Sequence, residues 1–133
     1  MKNRAKRIIL ICSLLSIVFV CVYIDYLLTP QYMGEMDVIE ILEALPSQFM
    51  IDQNISNNKD LKTIDEYISN SITPTLINRY GFTLVFRQLP FGYSYDSKNG
   101  LYYVYGLSRN RGYGGVQAII DDDGKILAIW TGD

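Results

Sequence analysis

The sequence predicts an α+β domain behind an N-terminal transmembrane helix. The domain reads as two helices packed on a four- to five-stranded antiparallel β-meander. Three observations predict this. A long uncharged apolar run follows a basic tip. Two segments with helical apolar spacing come next, each closed by proline or glycine. The remaining third alternates apolar and polar residues, is rich in tyrosine, and is punctuated by Asn-Gly and Asp-Gly turns.

Composition narrows the function classes. The chain has 133 residues, 12 basic and 14 acidic side chains, no histidine and two cysteines. Beyond the apolar run there remain 8 basic and 13 acidic side chains, a net charge of about −5. A charge of that sign argues against nucleic acid as a partner. The aromatic and β-branched content argues against disorder. Without histidine, Ser-His-Asp and Cys-His catalysis and histidine-ligated metal sites are excluded, and no cofactor motif is present.

The basic tip, residues 1–7, carries Lys2, Arg4, Lys6 and Arg7. Residues 8–28 are uncharged except for Asp25 and overwhelmingly apolar, a run of about 21 residues and about 31 Å as a helix. That length matches a bilayer core of about 30 Å. Tyr23 and Tyr26 fall where an interfacial aromatic belt would lie. The run is longer than the core of a cleaved signal peptide and has no pair of small residues suited to cleavage near its end. Cys12 follows Ile11 and Cys21 follows Val20, so neither cysteine has the small residue that precedes a lipidated one. An uncleaved anchor is the expectation. Four basic residues precede it and the next is Lys59, which predicts a cytoplasmic N-terminus and an exported, periplasmic domain in an inner membrane. Both cysteines fall within the span, so the exported domain has no disulfide of its own.

Residues 29–34 form a juncture with Pro30 and Gly34, and residues 35–133 form the exported domain. In residues 35–45, Val38, Ile41, Leu42 and Leu45 make an apolar stripe with Asp37, Glu40 and Glu43 opposite, and Pro46 ends the helix. Residues 49–60 are polar and read as a surface loop. Thr63 and Glu66 form a capping box for a helix presenting Ile64, Tyr67, Ile68 and Ile72. Thr73-Pro74 interrupts that helix, which restarts and ends at Gly81. Residues 82–87 alternate and read as a strand, with Phe82, Leu84 and Phe86 on one face. Strands are also expected at 91–95, 101–107, 116–121 and 125–131, with hairpin turns at Asn99-Gly100 and at Asp122-Asp123-Gly124.

Candidate sites lie in the β half. Residues 109–115 combine Arg109, Arg111 and Tyr113 with three glycines, a loop suited to a protein contact or an anion. It lacks both the Gly-Lys-Ser/Thr ending of a phosphate loop and a following helix. Tyr93, Tyr95 and Tyr102, with Trp130, are expected on the sheet face that the helices leave open. Tyrosine and arginine are frequent interface anchors, although tyrosine also suits a half-buried strand. Asp121-Asp122-Asp123-Gly124 fits a turn, since an EF-hand would need an acid at Ile119 and a downstream glutamate. The carboxylate pairs Glu40–Glu43 and Asp65–Glu66 are the remaining acid–base candidates, and both suit helix surfaces or caps.

These readings lead to one expectation: a membrane-anchored module that binds another protein at the extracytoplasmic face, an immunity or inhibitor protein being one version. Two alternatives stand beside it. One is an accessory subunit of an envelope complex that contacts partners through its transmembrane helix. The other is a carboxylate-based hydrolase.

Overall fold

The computed structural model describes residues 2–54, 63–108 and 115–132. Helix α1 (Lys2–Leu28) has 27 residues, none buried, and is long and apolar enough to cross a membrane. Thr29 and Pro30 join it to β1 (Gln31–Glu35). There follow α2 (Val38–Ala44), a 3-10 turn (Ser47–Phe49), β2 (Met50–Asn54) and α3 (Ile64–Tyr67). A π turn (Ile68–Ile72) leads into α4 (Thr73–Tyr80) and α5 (Phe82–Phe86). The chain closes with β3 (Phe91–Asp96), β4 (Leu101–Gly106), β5 (Gly115–Asp121) and β6 (Lys125–Gly132).

The fold is α+β, built on a mixed six-stranded sheet in the order β1-β3-β4-β5-β6-β2. Strands β3 to β6 form the expected meander, each antiparallel to the next. Their turns use glycine in the left-handed region, Gly100 at φ 64° and Gly124 at φ 82°. Two strands depart from the sequence reading. Residues 31–35 form β1, parallel to β3, where the sequence reading put 31–34 in the juncture and Glu35 at the start of a helix. Residues 50–54, expected in a loop, form β2, antiparallel to β6. Both are edge strands. One side of an edge strand meets water, so Gln31, Glu35, Asp52 and Gln53 can be polar without leaving the sheet.

Residues 82–87, expected as a strand, are also corrected: Phe82–Phe86 form a helix, α5, and Arg87 caps it. Gly81, at φ 94°, ends α4 and lets the chain turn into a new helix. Val85 is buried and Leu84 is half-buried against the core, so two adjacent residues face inward, which a strand would not permit. Phe82 and Phe86, four residues apart, stack at 5.4 Å between ring centroids. A short apolar run of this kind fits either period.

The helices cover both faces of the sheet, where the sequence reading put them on one. The first core holds Ile68, Ile72 and Leu76 under Val104, Ala118, Ile120 and Ile129. The second packs Val38, Ile41 and Leu42 of α2 on Leu101, Ile119, Ala128 and Trp130. Ile119 and Ile120 are adjacent and both are 0 % exposed, which requires cover on each side. Thr63 caps α3 as expected, its hydroxyl accepting from the Glu66 N–H at 3.3 Å. Helix α2 begins later than expected, at Val38, and its cap comes from across the domain.

Because β1 starts two residues past α1 and β3 runs parallel to it, Phe91 lies at the end of the sheet nearest α1. The register sets Gly106, Gly115 and Gly132 at that same end. The hairpins at residues 97–100 and 122–124 lie at the far end. Leu27 of α1 packs against the first core. Gln88 holds the link between α5 and β3 in place. It is 4 % exposed. Its amide donates to the Leu84 carbonyl at 3.2 Å and its Oε1 accepts from the Val116 N–H. Gly106 allows this close approach, since a Cβ there would lie 2.5 Å from the Gln88 Cβ.

Candidate functional site

The sheet edge nearest β1 carries a row of tyrosines. Register places Tyr32 beside Tyr93 and Tyr95 beside Tyr102, and alternation turns all four to one face. The ring centroids lie 5.6 Å apart for Tyr32–Tyr93, 6.3 Å for Tyr93–Tyr102 and 4.5 Å for the stacked Tyr95–Tyr102 pair. These are offset and tilted geometries that aromatic rings favour. Tyr32 is exposed at 56 %, and Tyr93, Tyr95 and Tyr102 are half-buried. Sequence reasoning identified three of the four. Tyr32 was missed because its strand read as a juncture. Its position two residues past Pro30, in a segment kept extended, is the signal that could have found it.

Carboxylates rim this row. Tyr95 O–H donates to Asp122 at 3.4 Å, and Asp65 lies close enough to Tyr93 for its charge to act on the phenol. Burial, then the charges of Asp65 and Asp122, push the Tyr93 and Tyr95 phenols up; burial and Asp122 do the same for Tyr102. The phenols therefore stay neutral hydrogen-bond donors across the physiological range. The row is a rigid surface with apolar rings, polar tips and negative charge at its margin.

Trp130 is not part of it. It lies on the opposite face, 6 % exposed, in the core beneath α2. There Tyr103 bridges Trp130 and Tyr105, at 6.1 and 5.0 Å between centroids. Pairing Trp130 with Tyr102 on one open face is thus corrected: the register gives the two residues opposite faces. Arg109, Arg111 and Tyr113 lie outside the described residues.

A second concave region lies at the far end of the sheet. Its volume is about 450 Å³, and Glu35, Asp37, Ile39, Asp96 and Asn99 are among the residues lining it. Asp96 is its one buried carboxylate, and every contact it makes is architectural. Its Oδ2 accepts from the Val38 N–H at 3.0 Å, capping α2 from 58 residues away. Asn99 donates to it through Nδ2 at 2.8 Å and through its backbone N–H at 3.1 Å. Glu35 accepts from the Ser97 N–H and hydroxyl at 3.2 and 3.1 Å. These carboxylates tie β1, α2 and the β3–β4 turn together.

The Asn99 side chain first, then the backbone N–H groups of Asn99, Val38 and Ile39, hold the Asp96 carboxyl below the usual aspartate range. A folded-state pKa below the unfolded value adds stability above the unfolded pKa of about 3.9. That stability is lost as pH falls through the lowered value. Asp96→Asn should therefore lower the unfolding midpoint of the full chain at pH 7, and the gap to the parent should close on acidification below about pH 4. Urea titrations at several pH values check this, and a gap that stays constant to low pH would show that the charge of Asp96 does not matter.

The triple aspartate forms the expected turn. Asp121 Oδ1 accepts from the N–H groups of Asp123 and Lys125, both at 2.9 Å. Among the described residues no three acidic or cysteine side chains are grouped to hold a metal ion. Compared with protein-family models, curated proteins and solved structures, the chain has no match in any of the three.

Proposed function

We propose that this chain is a single-span membrane protein that captures another protein on its tyrosine row. In this reading α1 is an uncleaved anchor in an inner membrane, with the basic tip in the cytoplasm and the α+β domain on the periplasmic side. An immunity or inhibitor protein that intercepts a partner at that face is one form of it. The observation that carries the reading is the contiguous row Tyr32–Tyr93–Tyr102–Tyr95 on three neighbouring strands. Tyrosines held on a sheet supply large contact area with little side-chain entropy to lose, and they are frequent interface anchors. The row borders β1, an edge strand on whose outer side no other strand pairs among the described residues, a side suited to strand addition. The rim of Glu35, Asp65 and Asp122 favours a partner with basic side chains. Tethering the domain two residues from the membrane concentrates it there.

The two rivals have less behind them. In the accessory-subunit reading α1 itself contacts partner helices. Yet Ser16, one of its few small polar residues, donates to the Cys12 carbonyl at 2.9 Å and is satisfied within its own helix. A carboxylate hydrolase would need an acid–base pair aimed at a substrate, and the hydrogen bonds the Asp96 carboxylate accepts serve the start of α2 and the β3–β4 turn. The test is capture of partners from detergent-solubilised membranes by the full chain and by a form whose residues 1–28 are replaced with an unrelated anchor. Partners retained by both support the reading. A partner lost with the native anchor would make the helix the interface.

A further inference from the structure

We propose that α5 lies on the bilayer surface, with Phe82 and Phe86 in the headgroup region and Arg79 and Arg87 on lipid phosphates. This rests on the reading of α1 as a membrane anchor. Phe82 and Phe86 are 61 % and 49 % exposed, the most exposed pair of phenylalanine rings outside α1 among the described residues, and they stack on each other. Their place in the fold accounts for that exposure. Gln88 and Leu89 run from α5 into the start of β3, at the sheet end next to α1. Leu89 and Phe91 share a cavity of about 230 Å³ with Leu28, the last residue of α1, and Pro30, just beyond it. The stacked pair is therefore three residues of chain from a wall that the end of α1 helps to build.

Charge agrees with this placement. The domain is acidic, and Asp65 and Glu66 line a cavity with Leu28 and Pro30 at the end of α1, but the segment that carries α5 has no carboxylate from Tyr67 to Tyr95, and its basic residues are Arg79 and Arg87. Both are exposed, and among the described residues neither makes an ion pair. Arg79 sits 5.8 Å over the Tyr80 ring. Aromatic rings beside arginines at the foot of an apolar helix match the chemistry of the interface, where rings occupy the headgroup level and guanidinium groups meet phosphate. The occupant that fits is an anionic phospholipid surface. Seated this way, α5 gives the domain a second attachment point and so a defined tilt, which bears on which way the tyrosine row faces.

The test uses the full chain with Cys12→Ser and Cys21→Ser, reconstituted in vesicles of phosphatidylcholine with and without phosphatidylglycerol. Nitroxide labels are placed one at a time through Phe82→Cys, Phe86→Cys, Ser97→Cys and Phe19→Cys. Collision with oxygen, which partitions into lipid, is compared with collision with a water-soluble nickel chelate. The expected result is a several-fold higher oxygen-to-nickel ratio at 82 and 86 than at 97, with the highest ratio at 19. In the phosphatidylglycerol vesicles, Arg79→Gln with Arg87→Gln should lower the ratio at 82 and leave that at 19 unchanged. Labels at 82 and 86 as open to nickel as the one at 97, with 19 still protected, would overturn the proposal and leave the anchor standing. A label at 19 open to nickel would remove the anchor reading and this proposal with it. No response to the arginine substitutions would overturn the role given to the phosphates.

Discussion

Replacing either Ile119 or Ile120 with alanine is expected to destabilise the domain by about 2–5 kcal/mol, the usual cost of emptying a buried isoleucine site. Neighbours on a strand point to opposite faces, so in a sheet covered on one side a pair of this kind gives one large effect and one small one. Here both side chains are fully buried, Ile119 under α2 and Ile120 under the π turn and α4. The two variants therefore report on the two cores separately. Urea unfolding of the full chain in detergent, followed by far-UV circular dichroism, gives both values. The emission of Trp130 adds a local view, because it is the one tryptophan and sits in the same core as Ile119. A loss below about 1 kcal/mol at Ile119 would mean that α2 does not seal its face.

The second large effect is expected in binding. Tyr102 stacks on Tyr95 at 4.5 Å and meets Tyr93 at 6.3 Å, so it is the ring that holds the row together. Tyr102→Ala should weaken a captured complex by about 1–3 kcal/mol, a rise in Kd of roughly fivefold to 150-fold. Tyr32→Ala removes the most exposed ring of the row and should cost binding with little change in folding. Trp130→Phe, on the far face, should leave affinity unchanged. Equal affinity in parent, Tyr102→Ala and Tyr32→Ala would move the contact surface away from the row.

What the sequence revealed, and what it hid, follows from the range of each signal. The four-stranded meander was readable because Asn99-Gly100 and Asp123-Gly124 are local turn chemistry between alternating runs. The capping of α3 by Thr63 was readable for the same reason. The start of α2 was not. Asp37 read as part of the helix's polar face, yet it precedes the first turn, and the side chain that accepts from the Val38 N–H is Asp96, 58 residues away, which no local pattern announces. The edge strands were hidden by their own exposure, since Tyr32, Met33 and Asp52 resemble loop residues until a neighbouring strand pairs with them. Phe82–Phe86 misled because a five-residue apolar run fits a period of 2 or of 3.6, and only Val85 and Leu84 turning inward together decides it. For the candidate site, alternation separated Tyr102 from Tyr103 correctly. It could not say on which face Trp130 falls, because that depends on pairing across two further strands.

The most direct measurement is photo-cross-linking in living cells with a benzophenone amino acid placed at residue 95 or at residue 19 of the full chain. Position 95 reads the tyrosine row and position 19 reads the middle of α1. The expected result is a specific protein adduct from position 95 and none from position 19. An adduct from position 19 alone would place the interaction in the helix and contradict a binding role for the sheet.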